Sequence, residues 1–361
     1  MAAVRPFRAL RYDTGRAGAL EDLVAPPYDV ISPAKREELR QRSRHNVVRL
    51  TLPDSEEEAA ATLAGWRGEG ILVRDEEPAF WILQQEYVGP DGVARTRTGL
   101  VASLTAEPYA NGTVLPHERT HRGPKEGRLR LLRATRTQLE PIFLLYRGAA
   151  LAGVPERAPE LAVEGARLWR LPPDDALADA FAERRLLIAD GYHRYETAVA
   201  FHEQDRSPAS AQMLVVLVAE DDPGLTIFPT HRVFAQRPPG IWPGEPTADP
   251  EDALALLASA PPDTAAFVQY MPRAATLVDG GRGELDVRLV DALGHEGLTY
   301  TPDWREAVRR VDEGEAAVAF LLRPPRLEDV WDAAERGETM PQKTTYFFPK
   351  LLSGLLLHPL E

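Results

Sequence analysis

The sequence contains no cysteine among its 361 residues. Disulfide scaffolds, thiolate zinc sites, iron–sulfur clusters and cysteine nucleophiles are therefore excluded. Any metal ion would have to bind to histidine, aspartate or glutamate side chains. No apolar run approaches the roughly 18 residues that a membrane-spanning helix requires, and the N-terminus lacks the apolar stretch of a secretion signal. We therefore expect a cytoplasmic protein that contacts no membrane.

Lysine is almost absent as well. The sequence has 42 basic residues, but only four of them are lysines. Arginine replaces lysine readily on a protein surface, so a lysine that is kept can mark a position where the compact ammonium group is needed. Three of the four, Lys125, Lys343 and Lys350, lie in or near the motifs described below, whereas Lys35 does not.

The charge balance is acidic and uneven. The 55 acidic residues outnumber the basic ones, which gives a formal net charge of −13. A nucleic-acid partner is disfavoured, because such a partner requires a basic surface. Residues 117–147 nevertheless hold eight basic and three acidic residues. This local excess indicates a small anionic ligand, although a solvated helix face would give the same count.

The alternation of apolar runs and turns predicts a mixed α/β fold. Helices are expected after Ser32, which is followed by Pro33, and after Ser55, which lies three residues before Glu58. Serine is a favoured N-cap, proline suits the first helical position, and the Ser-x-x-Glu spacing is that of a capping box.

Strands and a linker complete the predicted layout. The runs 80–87 and 96–105 flank Gly-Pro-Asp-Gly, which predicts a β-hairpin. Residues 237–250 contain five prolines and two glycines and predict a linker. We expect a site-bearing α/β unit over 1–236 and an α/β lobe over 250–361 that packs back on the site.

The segment His117-Glu-Arg-Thr-His121 matches the H-E-x-x-H pattern of zinc proteases. That chemistry needs two histidines one turn apart on a helix, with the glutamate as base. Here Pro116 precedes the motif and Gly123-Pro124 follows it, so a helix would be too short. A zinc hydrolase through His117, Glu118 and His121 is therefore the third hypothesis.

The same segment is better suited to a loop that binds an anion. Glu118, with His117 beside it, is a candidate catalytic residue, as a general base or a magnesium ligand. Basic and hydroxyl groups follow that would contact phosphate oxygens: Arg119, Thr120, Lys125 and Arg128. A loop held by surface salt bridges is the alternative interpretation.

The segment Asp190-Gly-Tyr-His-Arg194 is the more specific signal. It predicts a buried strand that ends in Asp190, a turn at Gly191, and a helix that begins with His193 and Arg194. A carboxylate, a flexible glycine and a helix N-terminus together describe an anion site. Asp190 would hold Mg²⁺ or orient a hydroxyl group. The alternative is that Asp190 caps the helix and Arg194 lies on its surface.

Weaker candidates would add to the same pocket. They are polar residues in loops or at strand ends: Tyr28, Asp29, Asn46, Arg49, His231 and Arg232. A structural role is open for each of them. No P-loop, dinucleotide-binding glycine pattern or serine nucleophile elbow is present.

The sequence resembles a bacterial and archaeal family catalogued as domain of unknown function 1015. The matching segments run in order through nearly the whole chain: Ala25-Pro-Pro-Tyr-Asp-Val-Ile31, Asn46-Val-Val-Arg49, Leu115-Pro-His-Glu-Arg-Thr120, Gly123-Pro-Lys-Glu126, Ala189-Asp-Gly-Tyr-His-Arg-Tyr-Glu-Thr-Ala198, Pro229-Thr-His-Arg232 and Met340-Pro-Gln-Lys-Thr-Thr-Tyr346. Tyr192 departs from the D-G-H-H-R pattern of the family.

The D-G-x-H-R element is similar to the phosphate-binding signature of the ParB and sulfiredoxin superfamily. That superfamily includes CTP-binding partition proteins and kinases that phosphorylate free serine. The resemblance implies a ParB/sulfiredoxin-like nucleotide-binding core, elaborated with a C-terminal lobe. Asp190, Gly191, His193 and Arg194 would form its phosphate site, with Glu118 as base. Sulfiredoxin chemistry itself requires cysteine and is excluded.

The leading hypothesis is a phosphotransferase that uses Mg²⁺ and a nucleotide (ATP, ADP or CTP) to phosphorylate a small hydroxyl substrate such as free serine. Phosphoryl transfer needs cations, a magnesium-holding carboxylate and a base. Arg119, Lys125, Arg194 and Lys343 would supply the cations. A nucleotide-binding regulatory protein without turnover, like the ParB switch, is the alternative.

Overall fold

The computed structural model describes residues 2–118, 122–242, 246–247, 249–283 and 285–361. These residues form the mixed α/β fold that the sequence predicts. Its helices are α1 (Thr14–Ala17), α2 (Leu20–Leu23), α3 (Pro33–Arg42), α4 (Val48–Thr51), α5 (Glu56–Gly68), α6 (Arg122–Thr135), α7 (Asp175–Asp179), α8 (Tyr192–Asp205), α9 (Pro250–Ser259), α10 (Asp286–Asp291), α11 (Trp304–Asp312) and α12 (Leu327–Glu335).

The strands are numbered in chain order. They are β1 (Val4–Arg5), β2 (Leu10–Tyr12), β3 (Leu72–Arg74), β4 (Phe80–Val88), β5 (Ala94–Thr105), β6 (Val114–Leu115), β7 (Thr137–Gln138), β8 (Ile142–Tyr146), β9 (Leu161–Val163), β10 (Ala166–Leu171), β11 (Leu186–Asp190), β12 (Gln212–Ala219), β13 (Thr226–Phe228), β14 (His231–Phe234), β15 (Pro246–Thr247), β16 (Thr264–Met271), β17 (Ala274–Arg282), β18 (Leu298–Thr301), β19 (Val318–Leu322), β20 (Tyr346–Phe348) and β21 (His358–Pro359).

The predicted helix starts are confirmed. The Ser32 hydroxyl accepts a hydrogen bond from the Lys35 N–H at 3.2 Å, and Pro33 is the first residue of α3. The Ser55 hydroxyl accepts from the Glu58 N–H at 3.1 Å at the start of α5. Both serines therefore satisfy N–H groups that have no partner within the helix.

Two element boundaries have clear local causes. Helix α6 ends at Thr135, because Arg136 adopts a left-handed conformation with φ of 45°. The run 225–232 is split at Pro229 into β13 and β14. These two strands belong to different sheets.

The larger sheet carries the N-terminal part of the chain in the order β6-β11-β8-β12-β5-β4-β10-β9, with β1 paired to β5. Its pairs are antiparallel except for β6 with β11 and β8 with β12. Alternate residues of β4 are buried on opposite faces, Phe80 and Ile82 on one and Trp81 and Leu83 on the other. Both faces of the sheet are therefore covered by other elements.

A second, antiparallel sheet has the order β15-β17-β16-β19-β14-β18. Helices α9 and α11 cover one face through Leu257 and Val311, and α10 covers the other through Val290. Strand β14 lies within residues 1–236, yet it pairs in this second sheet. The division into units 1–236 and 250–361 stays a prediction.

The C-terminal segment 340–361 packs against elements of the N-terminal part of the chain. Strand β20 pairs with β13, and β21 pairs with β7. The Arg97 side chain on β5 fixes this segment: its guanidinium donates to the carbonyls of Phe348 at 3.1 Å and Pro349 at 2.6 Å, and to Gln85 Oε1 at 2.6 Å. Burial lowers the pKa of Arg97 to about 10, so it remains charged at neutral pH.

Among the described residues, no helix combines the length and the apolar character that crossing a membrane requires.

Substitution of Arg97 by Met should lower the free energy of unfolding by about 3 kcal/mol, because three buried or half-buried acceptors lose a charged donor. The matched control is Arg95→Met, whose guanidinium pairs with Asp91 at 2.6 Å near the surface; the loss there should stay below about 1 kcal/mol. Urea denaturation of both variants measures the difference. Equal losses would contradict an anchoring role for Arg97.

Candidate functional site

Glu118 lies beside the C-terminal segment. Its backbone forms a parallel bridge with Met340, whose N–H donates to the His117 carbonyl at 2.7 Å. The Thr345 hydroxyl donates to Glu118 Oε1 at 3.3 Å. Two predicted motifs, more than 220 residues apart in sequence, therefore form one structural unit.

The electrostatic setting of Glu118 favours its neutral form. Burial raises the pKa of the Glu118 carboxyl above its ordinary value, and this effect exceeds the opposing hydrogen bonds from the backbone N–H groups of Lys343 and Thr345. The hydroxyl of Thr345 and the charge of Lys350 also oppose it. A carboxylate with a raised pKa is a stronger proton acceptor once ionised, which is the property of a general base.

His117 is fully buried next to Glu118. Its Nε2 lies 2.9 Å from the Thr345 hydroxyl, and its Nδ1 lies 2.9 Å from the Tyr192 hydroxyl. Tyr192 also donates to the Ile188 carbonyl at 2.8 Å. Burial lowers the pKa of His117 to about 3, and the ring is neutral at physiological pH.

The zinc-protease pattern lacks its helix in the described structure. His117 and Glu118 precede α6, which begins at Arg122, and His121 lies outside the described residues. Within the described ranges, no three histidine, aspartate or glutamate side chains are grouped so that they could hold a metal ion.

Asp190 ends β11 as predicted, and α8 begins directly after Gly191. Gly191 has a φ of 98°, a left-handed conformation that favours glycine. A Cβ atom at this position would also lie 3.2 Å from the Arg194 guanidinium. The chain therefore turns sharply enough to bring the first turn of α8 next to the Asp190 carboxylate.

Asp190 is the centre of a buried ion cluster. Its Oδ2 accepts from the Arg194 guanidinium at 2.5 Å, and its Oδ1 accepts from the Lys350 ammonium. Burial raises the pKa of Asp190, but the charges and hydrogen bonds of Lys350 and Arg194 outweigh it, so the net pKa is lowered. Arg194 also donates to the Pro141 carbonyl.

Two cations, Lys350 and Arg194, contact the single carboxylate of Asp190. Burial lowers the pKa of Lys350, but Asp190 and Asp29 outweigh this effect, so the pKa is raised and the ammonium stays charged. Asp29 acts on both cations and Glu140 acts on Arg194, while the N-terminus of α8 adds the positive end of a helix dipole. This arrangement can bind an additional anion of small size.

Tyr28 and Asp29 border the cluster. The Arg128 guanidinium lies 3.9 Å from the centre of the Tyr28 ring, and the Tyr28 N–H donates to Glu140 Oε1 at 3.0 Å. Asp29 is exposed, and its charge raises the pKa of Lys350. The assignment of both residues to a pocket wall stays a prediction.

Other predicted site residues make contacts away from the cluster's centre. Lys125 pairs with Glu196 of α8 at 3.1 Å. The ammonium of Lys343 lies 5.6 Å from the centre of the Tyr300 ring. His193 occupies the first turn of α8, whereas Arg119 and Thr120 lie outside the described residues. Their assignment to the phosphate site stays a prediction.

The remaining candidates have structural contacts. Asn46 is fully buried, donates to the carbonyls of Asp22 and Val24, and accepts from the Val48 N–H. Arg49 donates to the carbonyl of Arg40 at 3.0 Å. His231 and Arg232 line a separate cavity, described below.

Several residues that the structure brings to the site could not be assigned to it from the sequence. Lys350 stood out because lysine is scarce, but the sequence gave it no role in the phosphate site. Tyr192 was noted only as a departure from the family pattern, although its hydroxyl contacts His117. Thr345 lies in the family-matching segment 340–346 but was assigned no role. The anchoring Arg97 gave no signal, because nothing local distinguishes it from an ordinary strand residue.

Comparison with known proteins gives one strong match and several weak ones. A family model described as "Protein of unknown function (DUF1015)" matches residues 4–277, about three quarters of the chain. No curated protein matches the sequence.

Several solved structures resemble the fold at low similarity. A structure titled "Free serine kinase in complex with AMP" is 18% identical, with a TM-score of 0.40 over 68% of this chain and 89% of that one. A conserved hypothetical protein from Pyrococcus furiosus is 15% identical, with a TM-score of 0.34 over 68% and 93%. C-terminally truncated SbnI from Staphylococcus aureus is 13% identical, with a TM-score of 0.41 over 70% and 85%. At these TM-scores, the likenesses do not identify a shared activity or ligand.

The raised pKa of Glu118 predicts a specific dependence of stability on pH. Above the ordinary pKa of 4.5, the unfolded chain loses this proton before the folded protein does. Glu118 therefore makes the free energy of unfolding fall as the pH rises from about 4.5 towards its folded-state pKa. Glu118→Gln should remove that decline.

Denaturation at a series of pH values measures this effect. The control is Glu126→Gln, which makes the same chemical change at an exposed position on α6. If Glu118→Gln and wild type have the same slope above pH 4.5, Glu118 does not hold a proton more tightly in the folded state.

Proposed function

The chain belongs to the DUF1015 family of proteins of unknown function, and we propose that it transfers a phosphoryl group from a nucleotide to a small hydroxyl substrate such as free serine. The observation that supports this most is that a half-buried carboxyl of raised pKa, Glu118, lies near the ion cluster of Asp190, Arg194 and Lys350. Lys350 contributes to the electrostatics of both groups.

The cluster would bind the phosphates. Lys350 and Arg194 offer charged donors, and the N–H groups at the start of α8 point away from the helix towards the same end. Asp190 holds both cations in place, so little rearrangement is needed when phosphate enters. The proposal includes the ParB/sulfiredoxin-like core, supported by the D-G-x-H-R element at the junction of β11 and α8.

Glu118 would act as the general base. The substrate hydroxyl oxygen attacks the terminal phosphorus, the bond from that phosphorus to the leaving nucleotide oxygen breaks, and the hydroxyl proton passes to the Glu118 carboxylate. The backbone N–H groups of Lys343 and Thr345 fix the carboxylate's orientation. The neutral His117 packs beside it and supports Thr345 through a 2.9 Å contact.

The arrangement of Asp190 does not fit a magnesium ion. Both of its carboxylate oxygens already accept hydrogen bonds from cations, Oδ2 from Arg194 and Oδ1 from Lys350. Magnesium needs carboxylate oxygens that are free to coordinate it. In this mechanism, the negative charge of the phosphates is met by Lys350, Arg194 and the start of α8.

Glu118→Gln should lower phosphoryl transfer at least about a hundredfold, because the amide cannot accept the hydroxyl proton. Nucleotide binding should change little, since the cluster of Asp190, Arg194 and Lys350 is intact. Turnover is followed by release of the product nucleotide with serine as substrate, and binding by calorimetry. Glu126→Gln, at an exposed position on α6, is the control that should retain full activity.

This experiment separates the proposal from a nucleotide-binding regulator. Undiminished turnover in Glu118→Gln would remove Glu118 from the mechanism. Tight nucleotide binding by the wild type, with no turnover on any hydroxyl substrate tested, would favour the regulator.

Lys350→Met should weaken nucleotide binding by about tenfold or more, because it removes one of the two cations of the cluster. Thermal unfolding with ATP, ADP and CTP detects binding, since a ligand that binds only the folded protein raises the midpoint. The control is Lys35→Met, whose ammonium pairs with Glu38 on the exposed face of α3. If no nucleotide raises the midpoint of the wild type, both functions are contradicted.

A further inference from the structure

A cavity of about 780 Å³ lies at one end of the six-stranded sheet. His231 at the start of β14, Leu322 at the end of β19 and Pro302 just after β18 line its floor. Leu257 of α9 and Trp304 of α11 line its walls. Its volume lies within the range of small-molecule sites, roughly 300–1,000 Å³.

The cavity is separate from the ion cluster. Met340 and Thr344 line it, and the neighbouring Thr345 contacts Glu118. The segment 340–345 therefore lies between the two sites. Asp190 and Lys350 do not line the cavity.

His231 presents one fixed hydrogen-bond donor. Its Nδ1 accepts the Leu322 N–H at 3.1 Å, so the proton of the neutral ring lies on Nε2. The residue is 2% exposed, and Nε2 has no hydrogen-bond partner among the described residues. Burial lowers the pKa of His231 to about 4, which keeps the ring neutral at physiological pH.

The charged groups that line the cavity balance one another. Four arginines and four aspartates line it. Arg323 pairs with Asp286 at 3.3 Å, and Arg232 pairs with Asp291, just outside the lining, at 3.1 Å. Arg232 also donates to the carbonyls of Gln342 and Lys343. A neutral ligand fits this lining better than a strongly charged one, since it leaves these pairs intact.

We propose that the cavity is a second binding site, for a neutral and largely apolar small molecule whose carbonyl oxygen or aromatic nitrogen accepts a hydrogen bond from His231 Nε2. The apolar lining supplies contact area, and the buried Nε2 donor of His231 sets the orientation of the ligand. This inference goes beyond the proposed phosphotransferase function and does not depend on it.

The test uses the full-length protein and four neutral aromatic probes: benzamide, nicotinamide, acetophenone and coumarin. Each probe is titrated to millimolar concentration. Binding is followed through the ¹⁵N chemical shift of His231 Nε2, which reports a hydrogen bond at that atom directly. At least one probe should bind and shift this resonance.

Two variants make the test specific. His231→Asn keeps an acceptor for the Leu322 N–H but removes the Nε2 donor, so the probe that binds should lose about fivefold to tenfold in affinity. Ala258→Trp places a large ring at an exposed wall position and should abolish binding without disturbing the core. Unfolding midpoints check that each variant is folded.

Three results would overturn the proposal: no probe binds the wild type, Ala258→Trp leaves affinity unchanged, or a folded His231→Asn binds as tightly as wild type. If His231→Asn fails to fold, the Nε2 shift and Ala258→Trp still decide the question. Nucleotide binding is measured at a different site, so failure here is distinct from failure of the proposed function.

Discussion

The contact on which the candidate site depends is the one between Asp190 and Lys350, which lie 160 positions apart in sequence. It joins the end of strand β11 to the C-terminal segment, and Arg194 also contacts Asp190 from the first turn of α8. A buried carboxylate needs cations to offset its lost hydration. Because both oxygens of Asp190 accept from cations, each charge in the cluster has a direct partner. The same three side chains therefore hold the C-terminal segment in place and form the proposed phosphate site.

Much of the local structure could be predicted from the sequence, because it depends on neighbouring residues. Ser32 and Ser55 cap helices through N–H groups three positions on, and Gly191 turns the chain between a strand and a helix that both follow from their apolar periods. The end of α6 could not be predicted in this way, since a left-handed Arg136 is not a typical helix stop. The separation of β13 from β14 follows Pro229, but which sheet each joins is decided by distant partners.

The site itself could be predicted only in part, because some of its contacts are between residues that are distant in sequence. Asp190, Arg194 and Glu118 lie in recognisable motifs, whereas Arg97 lies in Ala94-Arg-Thr-Arg-Thr, where nothing distinguishes it from the more exposed Arg95. Arg97 is buried because the C-terminal segment packs over it and accepts its hydrogen bonds through the carbonyls of Phe348 and Pro349. Lys350 was signalled by composition, since an arginine-rich sequence kept a lysine there, but composition could not identify its partner. The sequence gave no role for Tyr192, whereas the structure shows that its hydroxyl contacts His117.

The segment 340–350 couples the two halves of the proposed mechanism. At one end, Lys343 and Thr345 direct their N–H groups at Glu118, and the left-handed backbone of Lys343 makes this turn possible. At the other end, Lys350 pairs with Asp190. Arg232 and Arg97 hold the two ends by donating to backbone carbonyls. The proton affinity of the base and the charge of the phosphate site are thus set by one stretch of chain, so a displacement of that stretch would alter both together.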